Sequence, residues 1–334
     1  MRNGTTAVVV EDRSQVGEAR RVAVRLAAEV GFDESERSDI GIVVTEAAAN
    51  VVRHAGRGAV LLTPVDGARG EGLELLCVDS GPGMADVEAC MQDGYSSAGT
   101  MGGGFGAMRR LADDFSIYSA PGVGTALVCR FWRHSAAQGA PCAGLAVAVQ
   151  GESVCGDAWA VRSDDSGTGL LVADGLGHGT HAAEAAGAAV RIFREQRSLQ
   201  PEAVLAALHA GLRGTRGAAV SVALIDPGRR EVRYAGVGNI SAVIVTGEGA
   251  RSLVSHNGTV GHQMRKAQEF VYPWTSGALL VVHSDGLATH WKLDQYPGLL
   301  RQDPALVAAM LYRDHSRRRD DVSVVACRLN GAGG

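Results

Sequence analysis

The stretch Leu170-Leu171-Val172-Ala173-Asp174-Gly175-Leu176-Gly177-His178-Gly179 restricts the fold of this chain more than any other. A short apolar run ends in an acid. Three glycines follow at alternate positions, and an alanine-rich helical segment begins at Thr180. This order reads as a buried strand, a carboxylate at its tip and a tight turn. An acid held at a strand end, with glycines letting backbone carbonyls come close, suits a hard divalent cation.

The same punctuation recurs. Asp157 follows Gly156 and opens an apolar segment, Asp285-Gly286 closes the run at residues 278–283, and Asp320-Asp321 precedes the strand-like residues 322–329. Residues 157–161 and 170–173 read as a hairpin, which brings Asp157 and Asp174 within the ~4–5.5 Å of cross-strand neighbours. Two carboxylates that close repel unless a cation lies between them. Several acidic strand ends in one domain suit an all-oxygen site for Mg²⁺ or Mn²⁺, and no His/Cys set with zinc spacing competes. Helices are expected at residues 181–195 and 201–213.

The first part of the chain has a different grammar. A strand at residues 7–10 precedes a helix at 14–30 that stops at Gly31, and Asp33 or Ser35 can cap the next helix. That helix carries Glu46, Asn50 and His54 at i, i+4 and i+8, beside an apolar stripe. Strands follow at 58–65 and 73–78, the second ending in Asp79-Ser80-Gly81-Pro82-Gly83. Next come a polar segment, the cluster Gly102-Gly103-Gly104-Phe105-Gly106, a helix at 107–112 and a hairpin at 115–132 with Thr125 after its turn. Backbone N–H groups at a helix start can receive phosphate.

Composition sets the outer limits. A chain of 334 residues favours two domains. The net charge of −4 gives no electrostatic reason to expect nucleic acid or an anionic membrane, and no apolar run approaches the ~18 residues of a membrane span. The six cysteines form no C-x-x-C pair and mostly sit in apolar runs. They read as core residues of a reducing, cytoplasmic protein without disulfides. The small, polar residues 134–143 read as a linker between domains at 1–133 and 144–330.

Glu46-x-x-x-Asn50, Asp79-x-Gly81-x-Gly83, the Gly102–Gly106 loop and Gly124-Thr125, in that order, resemble the Bergerat-fold (GHKL) ATPases, and among them the anti-sigma-factor serine kinases of the RsbW and RsbT kind. The resemblance implies an α/β sandwich binding ATP with Mg²⁺. Asp79 would bond the adenine amino group, Asn50 would ligate Mg²⁺ and Glu46 would be the general base. Gly81 and Gly83 would shape the adenine turn, Gly102, Gly104 and Gly106 would wrap the phosphates, and Thr125 would support the adenine pocket.

Gly156-Asp157, the 174–179 turn, Ser284-Asp285-Gly286 and Asp320-Asp321-Val322-Ser323 resemble the metal-dependent serine/threonine phosphatases (PPM) of the SpoIIE branch, nearer the short RsbX-like members. That implies a β-sandwich flanked by helices, an α+β chain overall, and two Mn²⁺ or Mg²⁺ ions. Asp157 and Asp174 would bridge the ions and serve the catalytic water. The Gly175 carbonyl and Asp285 would complete one shell, and Asp320 or Asp321 the other. Arg162 and Arg216 are the candidates for a phosphate clamp, while His178 or His181 would protonate the leaving alkoxide or, in the favoured reading, be turn or surface residues.

The two resemblances together imply a regulator of protein phosphorylation. Its substrate would be a phosphorylated STAS-domain anti-sigma antagonist, its further partners a sigma factor or a stressosome-like assembly, and the chain could pair as a homodimer. The alternative is a nucleotide-dependent partner-switching module without significant catalysis.

Overall fold

The computed structural model describes residues 4–67, 70–91, 104–133 and 142–329. Gly102 and linker residues 134–141 lie outside that set. The chain divides into two compact units, one of residues Met1–Gln138 with Lys292–Arg313, the other of Gly139–Trp291 with Asp314–Gly334.

In the first unit β1 (Thr6–Val10) leads into α1 (Arg13–Val30), which starts at a capping box made by Asp12 and Gln15. Gly31 ends α1 in the left-handed region, its N–H bonding the Ala27 and Ala28 carbonyls. Asp33, paired reciprocally with Glu36, caps α2 (Glu34–Asn50). One π-helical turn, Val51–Ala55, continues α2. Then come β2 (Gly58–Gly67), β3 (Gly70–Asp79), α3 (Val87–Met91), α4 (Gly104–Leu111), β4 (Asp114–Ala120) and β5 (Gly124–Trp132). The strands form one antiparallel sheet in the order β1-β2-β3-β5-β4.

Strand alternation separates the two faces of this sheet. Leu73, Leu75 and Cys77 of β3, with Leu127, Cys129 and Phe131 of β5, share one core with α1, α2 and Met108 of α4. Glu74 and Arg130, directly opposite each other in the β3–β5 register, point the other way. One expected boundary shifts. α4 begins at Gly104, so Gly104 and Gly106 lie inside its first turn instead of before a helix at 107–112.

The second unit is a two-sheet sandwich. Its strands are β6 (Cys142–Val147), β7 (Asp157–Asp164), β8 (Gly167–Gly175), β9 (Ala218–Asp226), β10 (Glu231–Val237), β11 (Ser241–Thr246), β12 (Gly249–Ser252), β13 (Phe270–Pro273), β14 (Ala278–His283) and β15 (Val322–Leu329). One sheet runs β13-β10-β9-β8-β7 and the other β12-β11-β14-β15-β6. Leu170 and Val172 face the inter-sheet core, whereas Leu171 and Ala173 face α5 (Thr180–Glu195) and α6 (Pro201–Gly211). β8 is therefore buried on both sides, which is why it reads as a continuous apolar run.

The cysteine expectation is corrected at one pair. Cys142 and Cys327 face each other across β6 and β15 and form a disulfide. They are 185 residues apart in sequence, so only the register reveals the pairing. No helix among the described residues is long and apolar enough to cross a membrane.

One helix in the C-terminal half carries no periodic signal in the sequence. α7 (Pro304–His315) is buried at every residue from Pro304 to Leu311, and its residues up to Arg313 group with the first unit. Asp303 caps it, accepting from Ala305 N at 2.8 Å, and grips Arg130 through both carboxylate oxygens at 2.8 and 2.9 Å. The Arg130 Nε donates to Glu74 at 2.6 Å. Burial works against the Arg130 charge, but Glu74 and Asp303 more than offset it. Burial also pushes the Glu74 carboxyl up, opposed by Arg130.

Glu74→Ala leaves the buried Arg130 Nε–H without an acceptor, while Asp303 still neutralises the guanidinium. Stability is expected to fall by about 1.5–3 kcal/mol, read from the urea midpoint of the full chain. A change below about 1 kcal/mol would show that the triad is not buried as described.

Candidate functional sites

Two sites take shape, one in each unit. In the first, Glu46 and Asn50 lie one turn apart at the end of α2, both half-buried. A Cβ placed on Gly104 would lie 3.4 Å from Glu46 Oε2 and 3.6 Å from Asn50 Nδ2. The N-terminus of α4 thus abuts the carboxylate and the amide, and the first-turn N–H groups of a helix favour an anion.

Asp79 ends β3 opposite Thr125. Its Oδ1 accepts from Gly81 N at 2.8 Å and Thr125 N at 3.3 Å. The Ser119 hydroxyl lies 3.0 Å from the Thr125 hydroxyl, donates to the Gly124 carbonyl and accepts from Met84 N. Gly83 takes a positive φ of 71°, and a Cβ there would stand 1.9 Å from the Ala120 carbonyl oxygen, so the turn closes only with glycine. The π turn joins the two halves of the site, since a Cβ on Gly81 would meet Ala55 at 2.8 Å.

Burial raises the Asp79 pKa. The Gly81 and Thr125 N–H groups and the charges of Arg313 and His54 oppose that rise. His54 sits exposed in the π turn, off the strict α-helical register with Glu46 and Asn50.

In the second unit the β7–β8 register sets Asp157 directly opposite Asp174. Asp157 is 3 % exposed, and neither of its carboxylate oxygens has a hydrogen-bond partner. Ser284 and Ser323 are near enough to lower its pKa but form no bond of ordinary geometry with it, and the Ser323 hydroxyl is itself unpartnered. Burial is the main cause raising both carboxyls. At Asp174 the charges of Asp157, Asp285, Asp320 and Asp321 add to it.

The remaining acids divide by role. Asp321 is buried, and its two oxygens accept from Val149 N and Gly156 N, each at 2.7 Å. A Cβ on Gly156 would sit 2.6 Å from that carboxylate, and one on Gly286 2.0 Å from the Asp321 carbonyl oxygen. Those two motif glycines thus make room for Asp321. Its neighbour Asp320 is exposed, yet partial desolvation raises its pKa, helped by the charges of Asp285 and Asp321 and opposed by the Asp321 N–H and the charge of His178. Asn239 donates to Asp285 at 2.7 Å, and nothing in the local sequence around Asn239 signals that contact. His178 lies 2.8 Å from Glu152. Gly175 packs against α5, with its N–H bonded to the Gly156 carbonyl.

Among the described residues no three His, Cys, Asp or Glu side chains close into a ready-made metal cage. A divalent cation nonetheless fits the donors present, because a buried, unpartnered carboxylate facing a second one lacks only a positive charge. Of the two clamp candidates, Arg162 is tied to the Arg194 and Gln196 carbonyls at the end of α5. Arg216 is exposed, and a Cβ on Gly177 would lie 3.3 Å from its Nη1, so it borders the 174–179 turn.

Comparison with known proteins assigns a family to each half of the chain. Residues 164–330 match the family described as Stage II sporulation protein E (SpoIIE). The chain belongs to the SpoIIE family. Residues 9–131 match the histidine kinase-like ATPase domain. Over 130 residues the chain is 31 % identical to the serine/threonine-protein kinase RsbT of Bacillus subtilis, covering 39 % of this chain and 98 % of that protein. Over 139 residues it is 27 % identical to the phosphoserine phosphatase RsbX of the same organism, covering 41 % of this chain and 70 % of that protein. A solved structure described as "The bacterial stressosome: a modular system that has been adapted to control secondary messenger signaling" aligns at a TM-score of 0.51 and 29 % identity, over 56 % of this chain and 98 % of that one. A kinase-like ATPase domain is therefore fused to a SpoIIE-type phosphatase domain, as the motifs implied.

The acidic pair of the SpoIIE-type domain sets a pH dependence. Because burial raises both carboxyls above their ordinary value of 3.8, the folded metal-free protein holds protons that the unfolded chain has released. Stability from these groups therefore falls as pH rises from about 4 into the neutral and alkaline range. In chelator, the urea midpoint is expected to be higher at pH 5.5 than at pH 8. Asp157→Asn should flatten that slope and stabilise the protein at pH 8 by about 2 kcal/mol. An unchanged slope in the variant would contradict the assignment.

Proposed function

We propose that this protein is a metal-dependent phosphatase acting on phosphoserine or phosphothreonine of a partner protein, governed by its own ATP-binding domain. The observation that carries this reading is Asp157, buried without a partner and opposed by Asp174. Asp157 and Asp174, together with Asp285, the Gly175 carbonyl and Asp320, would hold two Mn²⁺ or Mg²⁺ ions. Asp320 is preferred over Asp321 because the Asp321 oxygens already accept two backbone N–H groups. When bound, such ions ease deprotonation of a water molecule and neutralise phosphate charge. Asn239 would hold Asp285 in orientation, Asp321 would hold residues 149 and 156 in place, and Arg216 would bind the phosphoryl oxygens.

In the ATPase domain Asp79 would accept from the adenine amino group, supported by Thr125, Gly81 and Gly83. Asn50 would hold Mg²⁺, Glu46 would act as the base, and Gly104 and Gly106 would bring the α4 N–H groups to the phosphates, beside Gly102. ATP then either phosphorylates a partner or gates the phosphatase. RsbT is a kinase and RsbX a phosphoserine phosphatase by name, and both activities suit a STAS-domain antagonist as substrate. A sigma factor or stressosome-like assembly would stand downstream, in the cytoplasm where ATP is supplied. The chain could act as a homodimer.

The test is Mn²⁺-dependent phosphate release from a phosphoserine-bearing STAS protein, with and without ATP. Asp174→Ala should reduce the rate at least about hundredfold, and Arg216→Ala should raise KM more than it lowers kcat. Activity that survives Asp174→Ala, or that chelator leaves intact, would refute the metal mechanism.

A further inference from the structure

The far end of α7 reaches the nucleotide site. Arg313 Nη1 donates to the carbonyl oxygen of Asp79. The guanidinium also fills the space beside Gly124, where a Cβ would stand 2.7 Å from Nη1. At its other end, α7 is fixed through Asp303 to Arg130, whose neighbour across β3–β5 is Glu74.

These two anchor points match in length. From the Glu74–Arg130 pair to the Asp79–Thr125 pair is five residues along each strand, about 17 Å. From Asp303 to Arg313 is ten residues, about 15 Å of helix. α7 therefore works as a strut alongside β3 and β5, gripping their middle through Asp303 and their end through Arg313.

We propose that Arg313 is a positioning residue of the nucleotide site, delivered by α7 to hold the end of β3 so that Asp79 meets the adenine amino group. The proposal rests on reading Asp79 as the adenine acceptor. Its consequence is that the ATPase domain draws part of its base-recognition apparatus from a segment inside the SpoIIE match, which spans residues 164–330. Arg313 touches a backbone carbonyl and not the base, so its effect passes through Asp79. Its positive charge also favours the ionised, accepting form of that carboxyl, as does His54 from the π turn.

The experiment measures binding of ATP and GTP, each with Mg²⁺, to the full-length wild type and to Arg313→Gln, Arg313→Lys and Asp79→Asn, with thermal unfolding of each. Arg313→Gln is expected to bind ATP about tenfold more weakly, the scale of one charge-assisted hydrogen bond. Its preference for ATP over GTP should shrink by a similar factor, because guanine offers an acceptor where adenine offers a donor. Arg313→Lys, which keeps the positive charge as well as a donor, should recover most of both, whereas Gln keeps only an uncharged donor. Wild-type ATP affinity and selectivity in Arg313→Gln would overturn the proposal. So would equal weakening towards ATP and GTP, the mark of a purely structural role. If the wild type fails to bind ATP, or Asp79→Asn binds it as tightly as the wild type, the adenine reading itself falls and the proposal falls with it.

Discussion

Two carboxylates facing each other across one hairpin organise the SpoIIE-type domain. Asp157 and Asp174 sit at the open end of β7 and β8, where strand pairing leaves them no choice of neighbour. Their mutual repulsion and burial raise the free energy of the metal-free fold. The surroundings tolerate this without relieving it. Asp321 satisfies its own oxygens on backbone N–H groups, and Asn239 orients Asp285. The domain is thus built around an electrostatic deficit that a divalent cation would remove.

The ATPase domain rests on the opposite arrangement, a buried charge fully compensated. Arg130 has carboxylates on two sides, Glu74 within the sheet and Asp303 at the head of α7. Such a triad contributes little net stability compared with a well-packed apolar cluster. Its directional, bidentate geometry instead fixes which helix lies on this face and in what register. With Asp303 held on Arg130, Arg313 ten residues further along α7 reaches the Asp79 carbonyl.

Local signals carried much of this into the sequence. The strand–Asp–Gly punctuation marks Asp79, Asp174 and Asp285 because an apolar run and its turn are contiguous, and the Asp157–Asp174 opposition follows from a short hairpin. Features set by distant pairing were not legible. Cys142 meets Cys327 only through the β6–β15 register, and Arg130 meets Asp303 across 173 positions. α7 escaped notice for a different reason: a helix buried on every side has no polar stripe to reveal its period. The choice between Asp320 and Asp321 was equally hidden, because adjacent carboxylates differ only in where their oxygens point. The π turn after Asn50 has no signature in residues 51–55.

The most direct measurement is titration calorimetry of the metal-free full chain with Mn²⁺ at one pH in two buffers of different ionisation heat. A buried carboxylate pair that retains a proton must release it when a cation enters. Binding accompanied by net proton release is expected for the wild type, with both lost in Asp157→Asn. Mn²⁺ binding of unchanged affinity and proton count in Asp157→Asn, or no binding to the wild type, would contradict the central assignment.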